Sequence, residues 1–169
     1  GVIDANGDIV ISPEYEEMIV IPNNQKPVFI VTYDLNVSDM TYKTKAINEN
    51  NELLFTDYDR VEILDNHDKS NSIYYEKSIL KVLKDGKYGV INYDGKEEIK
   101  CEYDEIIPAT GLNNILIVKK DGKYGVINGL GTTIISPEYD SVTPLSTKPE
   151  DGYIIRNEDG YGIALTSKK

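Results

Sequence analysis

The octapeptide Asp85-Gly86-Lys87-Tyr88-Gly89-Val90-Ile91-Asn92 recurs unchanged at residues 121–128, and each copy is followed by a Glu-Tyr-Asp triplet whose tyrosine stands fourteen residues past the second glycine. A unit copied along a chain is a packing unit: it cannot bury its apolar face alone and depends on the copies beside it. The repetition therefore constrains architecture before it says anything about chemistry.

The register extends through the chain. Glycine and tyrosine stand at Gly1 and Tyr15, Gly89 and Tyr103, and Gly125 and Tyr139, while a degraded copy has Lys45 in the glycine place and Tyr58 as its tyrosine. A partial copy closes the series at Tyr161-Gly162-Ile163-Ala164. The glycine-to-tyrosine distance is 14, 13, 14 and 14 residues, whereas the tyrosine-to-next-glycine distance is 30, 31, 22 and 23. One half of the unit is thus a fixed frame, and the other accepts insertions, here residues 23–43 and 65–78. The units run at approximately 1–22, 28–64, 79–110 and 115–145, with a partial unit at 153–165, as a single repeat array over residues 1–169.

Within a unit the apolar period is two. Tyr88, Val90 and Asn92, or Ile115, Ile117 and Lys119, read as half-buried strands. Asp85-Gly86, Asp94-Gly95, Asp121-Gly122, Asp159-Gly160 and Asn6-Gly7 stand between strands, and these dipeptides suit two-residue hairpin turns at positive φ. No stretch carries a helical apolar stripe. The chain is predicted to be all-β, with tandem repeats of three to four short antiparallel strands forming an open superhelical array. The alternative is a small β-propeller-like closed ring, in which the last strands complete the first unit. Unequal unit spacing favours the open array, with Lys168 and Lys169 guarding its edge.

Lys87-Tyr88-Gly89, Lys123-Tyr124-Gly125 and Tyr161-Gly162, with Tyr103-Asp104 and Tyr139-Asp140 as the second landmark, resemble the bacterial WG repeat, also called KWG, with tyrosine wherever that family has tryptophan. The resemblance covers nearly all of the chain. It implies a tandem antiparallel β array without a defined catalytic centre, of the kind found in bacterial proteins. Independently of any family, an aromatic beside a glycine lets a ring lie across bare backbone. Tyr88, Tyr124 and Tyr161 share a face with Val90, Val126 and Ile163, so they are expected to pack.

Composition closes several functional classes. A formal charge of −11 over 169 residues, without Lys and Arg clusters, disfavours nucleic acid. No apolar run is long enough to insert this segment in a membrane. A single cysteine permits no internal disulfide and suits bacterial exterior and cytoplasm alike, the cell surface or a secreted setting being favoured. Gly1 falls at the glycine of a repeat, so a leader peptide or further repeats are expected upstream.

No residue set demands catalysis, a cofactor or a metal. Asp4-Ala5-Asn6-Gly7-Asp8 resembles a calcium loop, but Tyr15 occupies the twelfth position and the register matches the turn Asn92-Tyr93-Asp94-Gly95-Lys96. The carboxylates of Glu14, Glu16 and Glu17, of Glu102, Asp104 and Glu105, and of Glu138 and Asp140 recur once per repeat, whereas a catalytic pair is needed once. Asp59, Asp104 and Asp140 are read as satisfying nearby backbone donors after the tyrosine. Cys101 stands where sister units have Pro13 and Pro137, which marks a tolerated substitution. His67 lies in a polar stretch read as a solvated loop, and substitutions across residues 65–78 are expected to be mild.

The reading is a non-enzymatic binding or scaffold module that engages another protein through the inserted stretches. Tyr33, Tyr42, Tyr74 and Tyr75 lie outside the repeated landmarks and form its candidate interaction surface. Strand packing is the other role open to those rings. The alternative function is a carbohydrate-binding module at the bacterial cell surface, since tyrosine rings beside carboxylates and amides suit the two faces of a sugar.

Overall fold

The computed structural model describes residues 1–21, 27–67, 72–76 and 78–166. Strands β1 (Val2–Ile3) and β2 (Ile9–Ile11) form a first two-stranded ladder. Strands β3 (Glu17–Val20), β4 (Phe29–Asn36), β5 (Thr41–Ile47) and β6 (Leu53–Leu54) form a four-stranded meander. The next sheet opens with β7 (Arg60–Glu62), is interrupted by the inserted hairpin of β8 (Asp65–His67) and β9 (Ile73–Tyr75), and resumes with β10 (Ile79–Lys84), β11 (Lys87–Asn92) and β12 (Glu97–Tyr103). A fourth sheet holds β13 (Glu105–Pro108), β14 (Ile115–Lys120), β15 (Lys123–Asn128) and β16 (Thr133–Tyr139). The last comprises β17 (Ser141–Pro144), β18 (Tyr153–Asn157) and β19 (Gly160–Ala164).

All pairings are antiparallel, and the sheets follow one another in chain order as an open array, with none closed into a barrel. Helical structure among the described residues is confined to a 3₁₀ turn at Pro149–Asp151. The short strand after each Tyr-Asp pair starts a new sheet: β13 follows Tyr103 and Asp104 and pairs with β14. The tyrosine–aspartate landmark is therefore the crossing point from one sheet to the next. Lys168 and Lys169, the expected edge guard, lie outside the described residues.

Strand alternation builds the interior. In β11, Val90 joins the cluster shared with Ile106, Leu116 and Val118 of the following sheet, while Ile91 joins Ile30, Ala46 and Leu80 on the preceding side. In β15, Val126 points forward to Val142 and Tyr153, and Ile127 points back. Each central strand thus feeds two apolar layers, and each fully buried Val or Ile contributes roughly 1.5–3 kcal/mol before ordering entropy is subtracted. No unit can close its own core, which is why the sequence has to repeat.

Two of the five expected two-residue turns have that form. Asp85 and Gly86 lie at φ 51° and 75°, and Asp121 and Gly122 at 51° and 80°, the left-handed pair that a type I′ hairpin turn requires. Asp94-Gly95 and Asn6-Gly7 belong to a longer turn instead. There Asn92 N–H donates to Lys96 O at 2.9 Å, and Asn92 Oδ1 accepts from the amides of Asp94 and Lys96. Asn128 and Asn48 organise the same turn, and Asp4 does so at the N-terminal end, its Oδ1 accepting from Asn6 and Asp8. At Asp159-Gly160 the turn residues are Glu158 and Asp159, because Asn157 pairs with Gly160.

Candidate functional site

The two landmarks of each regular unit engage one another. Tyr88 stands opposite Tyr103 across the β11–β12 ladder, and Tyr124 opposite Tyr139 across β15–β16. The lysine that precedes each first tyrosine reaches the aspartate that follows the second: Lys87 Nζ donates to Asp104 Oδ1, and Lys123 Nζ to Asp140 Oδ1 at 2.6 Å. Those lysine bonds hold the carboxyls of Asp104 and Asp140 below the usual carboxylate range. Asp104 Oδ2 also accepts from Gly122 N–H at 3.4 Å, and Asp59 Oδ2 accepts from Asp85 N–H at 3.0 Å. The donors are thus not local, as the sequence suggested, but belong to the hairpin turn of the following sheet.

Gly89 and Gly125 have matching surroundings, set by backbone and not by a ring. A Cβ at Gly125 would lie 2.5 Å from Ile135 O and 2.7 Å from Pro137 N; at Gly89 it would lie 2.6 Å from Ile99 O and 2.8 Å from Cys101 N. The third strand is bulged at this point, where Gly89 of β11 faces three residues of β12, Lys100 to Glu102. Gly162 lacks such a neighbour, the closest atom being an Ile155 side-chain carbon at 3.6 Å. Tyr161, on the outermost strand β19, is correspondingly 77% exposed.

The inserted hairpin is not a solvated loop, contrary to the sequence reading. Asn66 is 2% exposed; its Nδ2 donates to Ala109 O and Leu112 O, both at 3.1 Å, and its Oδ1 accepts from Gly111 N–H at 3.1 Å. Glu76 is 8% exposed, with Oε1 accepting from Asn114 N–H at 3.3 Å, and burial pushes its carboxyl above the ordinary value. His67 is part-buried, and its Nδ1 has no hydrogen-bond partner among the described residues. Residues 66 and 76 therefore clamp the insertion onto the β13–β14 connection.

The remaining candidates are scattered. Cys101 lies against Gly89 and the apolar layer that holds Leu80 and Ile91, and burial pushes its thiol up. Glu102 is paired with Lys120 at 3.0 Å across two sheets. Among the described residues, no three His, Cys, Asp or Glu side chains come together as a metal site. No helix there is long and apolar enough to cross a membrane.

The four tyrosines of the candidate surface do not form one patch. Tyr42 shares the face of Thr44 and Ala46 on β5, whereas Tyr33 lies on the opposite face of the β4–β5 hairpin, beneath Lys45 at 4.8 Å and Lys43 at 5.8 Å. Tyr74 and Tyr75 belong to β9, and their side chains lie outside the described ones.

What the structure adds is a groove of about 620 Å³ between the β4–β5 hairpin and the following sheet. Its walls are apolar, with Ile30, Leu35, Met40 and Ile63, and Tyr42 stands at one side. Its rim is acidic, with Glu16, Glu17 and Asp65. Both insertions contribute to it. Glu62 also lines it but is matched by Arg60 at 3.2 Å and Lys81 at 3.1 Å.

At the back stands Thr44, 8% exposed, whose Oγ1 is buried without a hydrogen-bond partner among the described residues. Thr44 occupies the tyrosine place of the degraded unit: it opposes Thr32 as Tyr88 opposes Leu83 and Tyr124 opposes Lys119. The signal was present in the sequence as the residue before Lys45. Lys45 itself is tolerated in the glycine place because β6 pairs only with Ala46 and Ile47 and does not cross residue 45.

A family model described as WG containing repeat matches residues 1–29, 88–124 and 124–155, more than half of the chain. The stretch between the first two matches holds most of the degraded unit and most of the groove, whose Glu16 and Glu17 lie within the first match. No curated protein and no solved structure matches the chain.

Proposed function

The chain belongs to the family of WG containing repeats, and from that premise we propose that it is a non-enzymatic protein-binding scaffold that engages its partner through the insertion-bearing β4–β5 hairpin. One observation carries the reading. The end of that hairpin displays Val37 at 73% and Met40 at 78% exposure, with Leu35 and Tyr42 beside them. Contiguous exposed apolar side chains rimmed by polar ones mark interaction surfaces, and Met and Tyr are enriched at the centres of such surfaces. The regular units keep their turns to two residues, Asp85-Gly86 and Asp121-Gly122, so the hairpin end is an addition to the frame and not part of it.

The test is a photoreactive amino acid at Val37, with a control at the exposed Lys100, introduced in the cells that naturally make the protein. A discrete protein adduct at position 37 and none at position 100 is expected. Equal labelling at both positions, or none at 37, overturns the reading. A carbohydrate reading draws on Tyr42, which lines the groove together with Glu62 and Asp65. It would replace the protein reading if a glycan array showed saccharide binding that disappears in Tyr42→Ala.

A further inference from the structure

Resting on the protein-binding reading, we propose that the groove over Thr44 receives a tyrosine side chain from a basic segment of the partner, which occupies in trans the place that the repeat's own tyrosine fills in the regular units. Tyr88 and Tyr124 pack into the apolar layer between their sheet and the next. At the equivalent position Thr44 supplies no ring, and the space beside it is the groove. Its walls of Ile30, Leu35, Met40 and Ile63 offer a ring the same apolar contact that the regular layers provide.

The charge around the groove selects the flanking residues. Glu16, Glu17 and Asp65 make no ion pair among the described residues, so the rim holds uncompensated negative charge. In the regular units a lysine lies over the tyrosine, Lys81 at 5.0 Å from the Tyr88 ring centre and Lys119 at 5.2 Å from that of Tyr124. A partner segment with lysines flanking a tyrosine meets both conditions, its cations facing the rim. A ring that enters from outside goes in tip first. A phenol then brings its hydroxyl towards Thr44 Oγ1, a buried polar group without a partner among the described residues.

The decisive variant is Thr44→Tyr, which restores the landmark and fills the groove from within. The probe is a fluorescently labelled lysine–tyrosine–lysine peptide, titrated by anisotropy against the full chain. Comparison peptides replace the tyrosine by alanine or the lysines by glutamate. The lysine–tyrosine peptide should bind and both comparison peptides should fail. Thr44→Tyr, folded by circular dichroism, should weaken binding by at least about tenfold, and so should Glu16→Gln/Glu17→Gln/Asp65→Asn, the latter with loss of salt dependence. A control triple outside the groove, Asp57→Asn/Glu97→Gln/Glu105→Gln, should change binding by less than about threefold.

Undiminished binding by Thr44→Tyr, equal binding of the alanine peptide, or an equal effect of the control triple overturns the proposal. Should Thr44→Tyr fail to fold, the groove and control triples decide alone. If position 37 crosslinks a protein while no peptide binds, the scaffold reading stands and this inference falls. If the peptide binds as described but position 37 labels nothing, the groove stands and the hairpin end is not the contact.

Discussion

Tyr124 faces Tyr139 directly across the β15–β16 ladder, with the Lys123–Asp140 bond closing the same end of the strand pair. This one relationship explains why the same half of each regular repeat has constant length. The segment from glycine to tyrosine contains the Asn128 turn and the bulge that lets Ile135 and Pro137 pass over Gly125. A residue gained or lost there would move Tyr139 off its partner and send its ring to the other face of the sheet. Between the tyrosine and the next glycine no such cross-strand reading exists. Added residues can leave as a hairpin, and the β4–β5 extension and β8–β9 do so.

The glycines supply a direct test of this geometry. Gly125→Ala places a methyl 2.5 Å from a backbone oxygen that cannot rotate away, so the bulge must shift. We expect a loss of about 1–3 kcal/mol, read as a lower urea midpoint at unchanged slope. Gly162→Ala meets nothing closer than 3.6 Å and should stay within about 0.5 kcal/mol of the parent. Equal costs at the two positions would mean that the third strand does not impose the glycine.

Asn66 tests the clamp between insertion and frame. Alanine at this position removes the side-chain partner of Leu112 O and Gly111 N–H in a 2% exposed site, while Ala109 O keeps the Leu112 amide at 3.0 Å. Unpaired buried groups cost about 1–3 kcal/mol, well above a surface substitution such as Lys100→Ala. Thermal melts of the two variants should separate accordingly. Coincident melts would return the insertion to the status of a solvated loop.

The Asx turns make a third case. Asn128→Ala removes the acceptor for Leu130 N–H at 3.0 Å and Thr132 N–H at 2.9 Å while leaving the turn backbone otherwise unchanged. About 1 kcal/mol of stability should be lost, and Asn128→Asp should recover most of it, since Asp4 serves the same turn in the first unit. Failure of aspartate to rescue would show that the amide, and not the acceptor, is what the turn needs.

The frame was legible from sequence because its signals are local and repeated. The alternation around Val90 and Val126, the Asp-Gly pairs at residues 85–86 and 121–122, and the spacing from Gly89 to Tyr103 each say something that neighbouring residues decide. The site was less legible because its parts come together through packing between sheets. Asp104 could be seen to turn the chain, but its donors are Lys87, brought near by the β11–β12 ladder, and Gly122, which only the packing of the following sheet brings near. Asn66 and His67 read as polar loop residues, and the surface that buries Asn66 belongs to residues 109–112. Tyr33 and Tyr42 looked like one surface in composition, yet they face opposite ways once the hairpin register is fixed. Thr44 was visible as a departure from the repeat. That a missing ring opens a groove follows only from knowing that the tyrosine points into the next layer.

Glu76 supplies a pH test. Its carboxyl is raised above 4.5 chiefly by burial, with the Asn114 amide bond and Asn66 opposing that shift. The folded chain therefore holds a proton between about pH 4.5 and the folded value that the unfolded chain has already released. With more protons bound in the folded state, stability falls as pH rises through that window, and the cost is fully present above it. Glu76→Gln keeps an acceptor for Asn114 N–H and cannot ionise, so it removes the titration while preserving the bond. The measurement is the difference between the unfolding free energies of parent and variant across pH, in which every other titrating group cancels. The parent should lose stability relative to Glu76→Gln from about pH 4.5 upward and then level off. A flat difference, or one that favours the parent as pH rises, would place the Glu76 carboxylate in water and detach the insertion from the sheet it is seen to clamp.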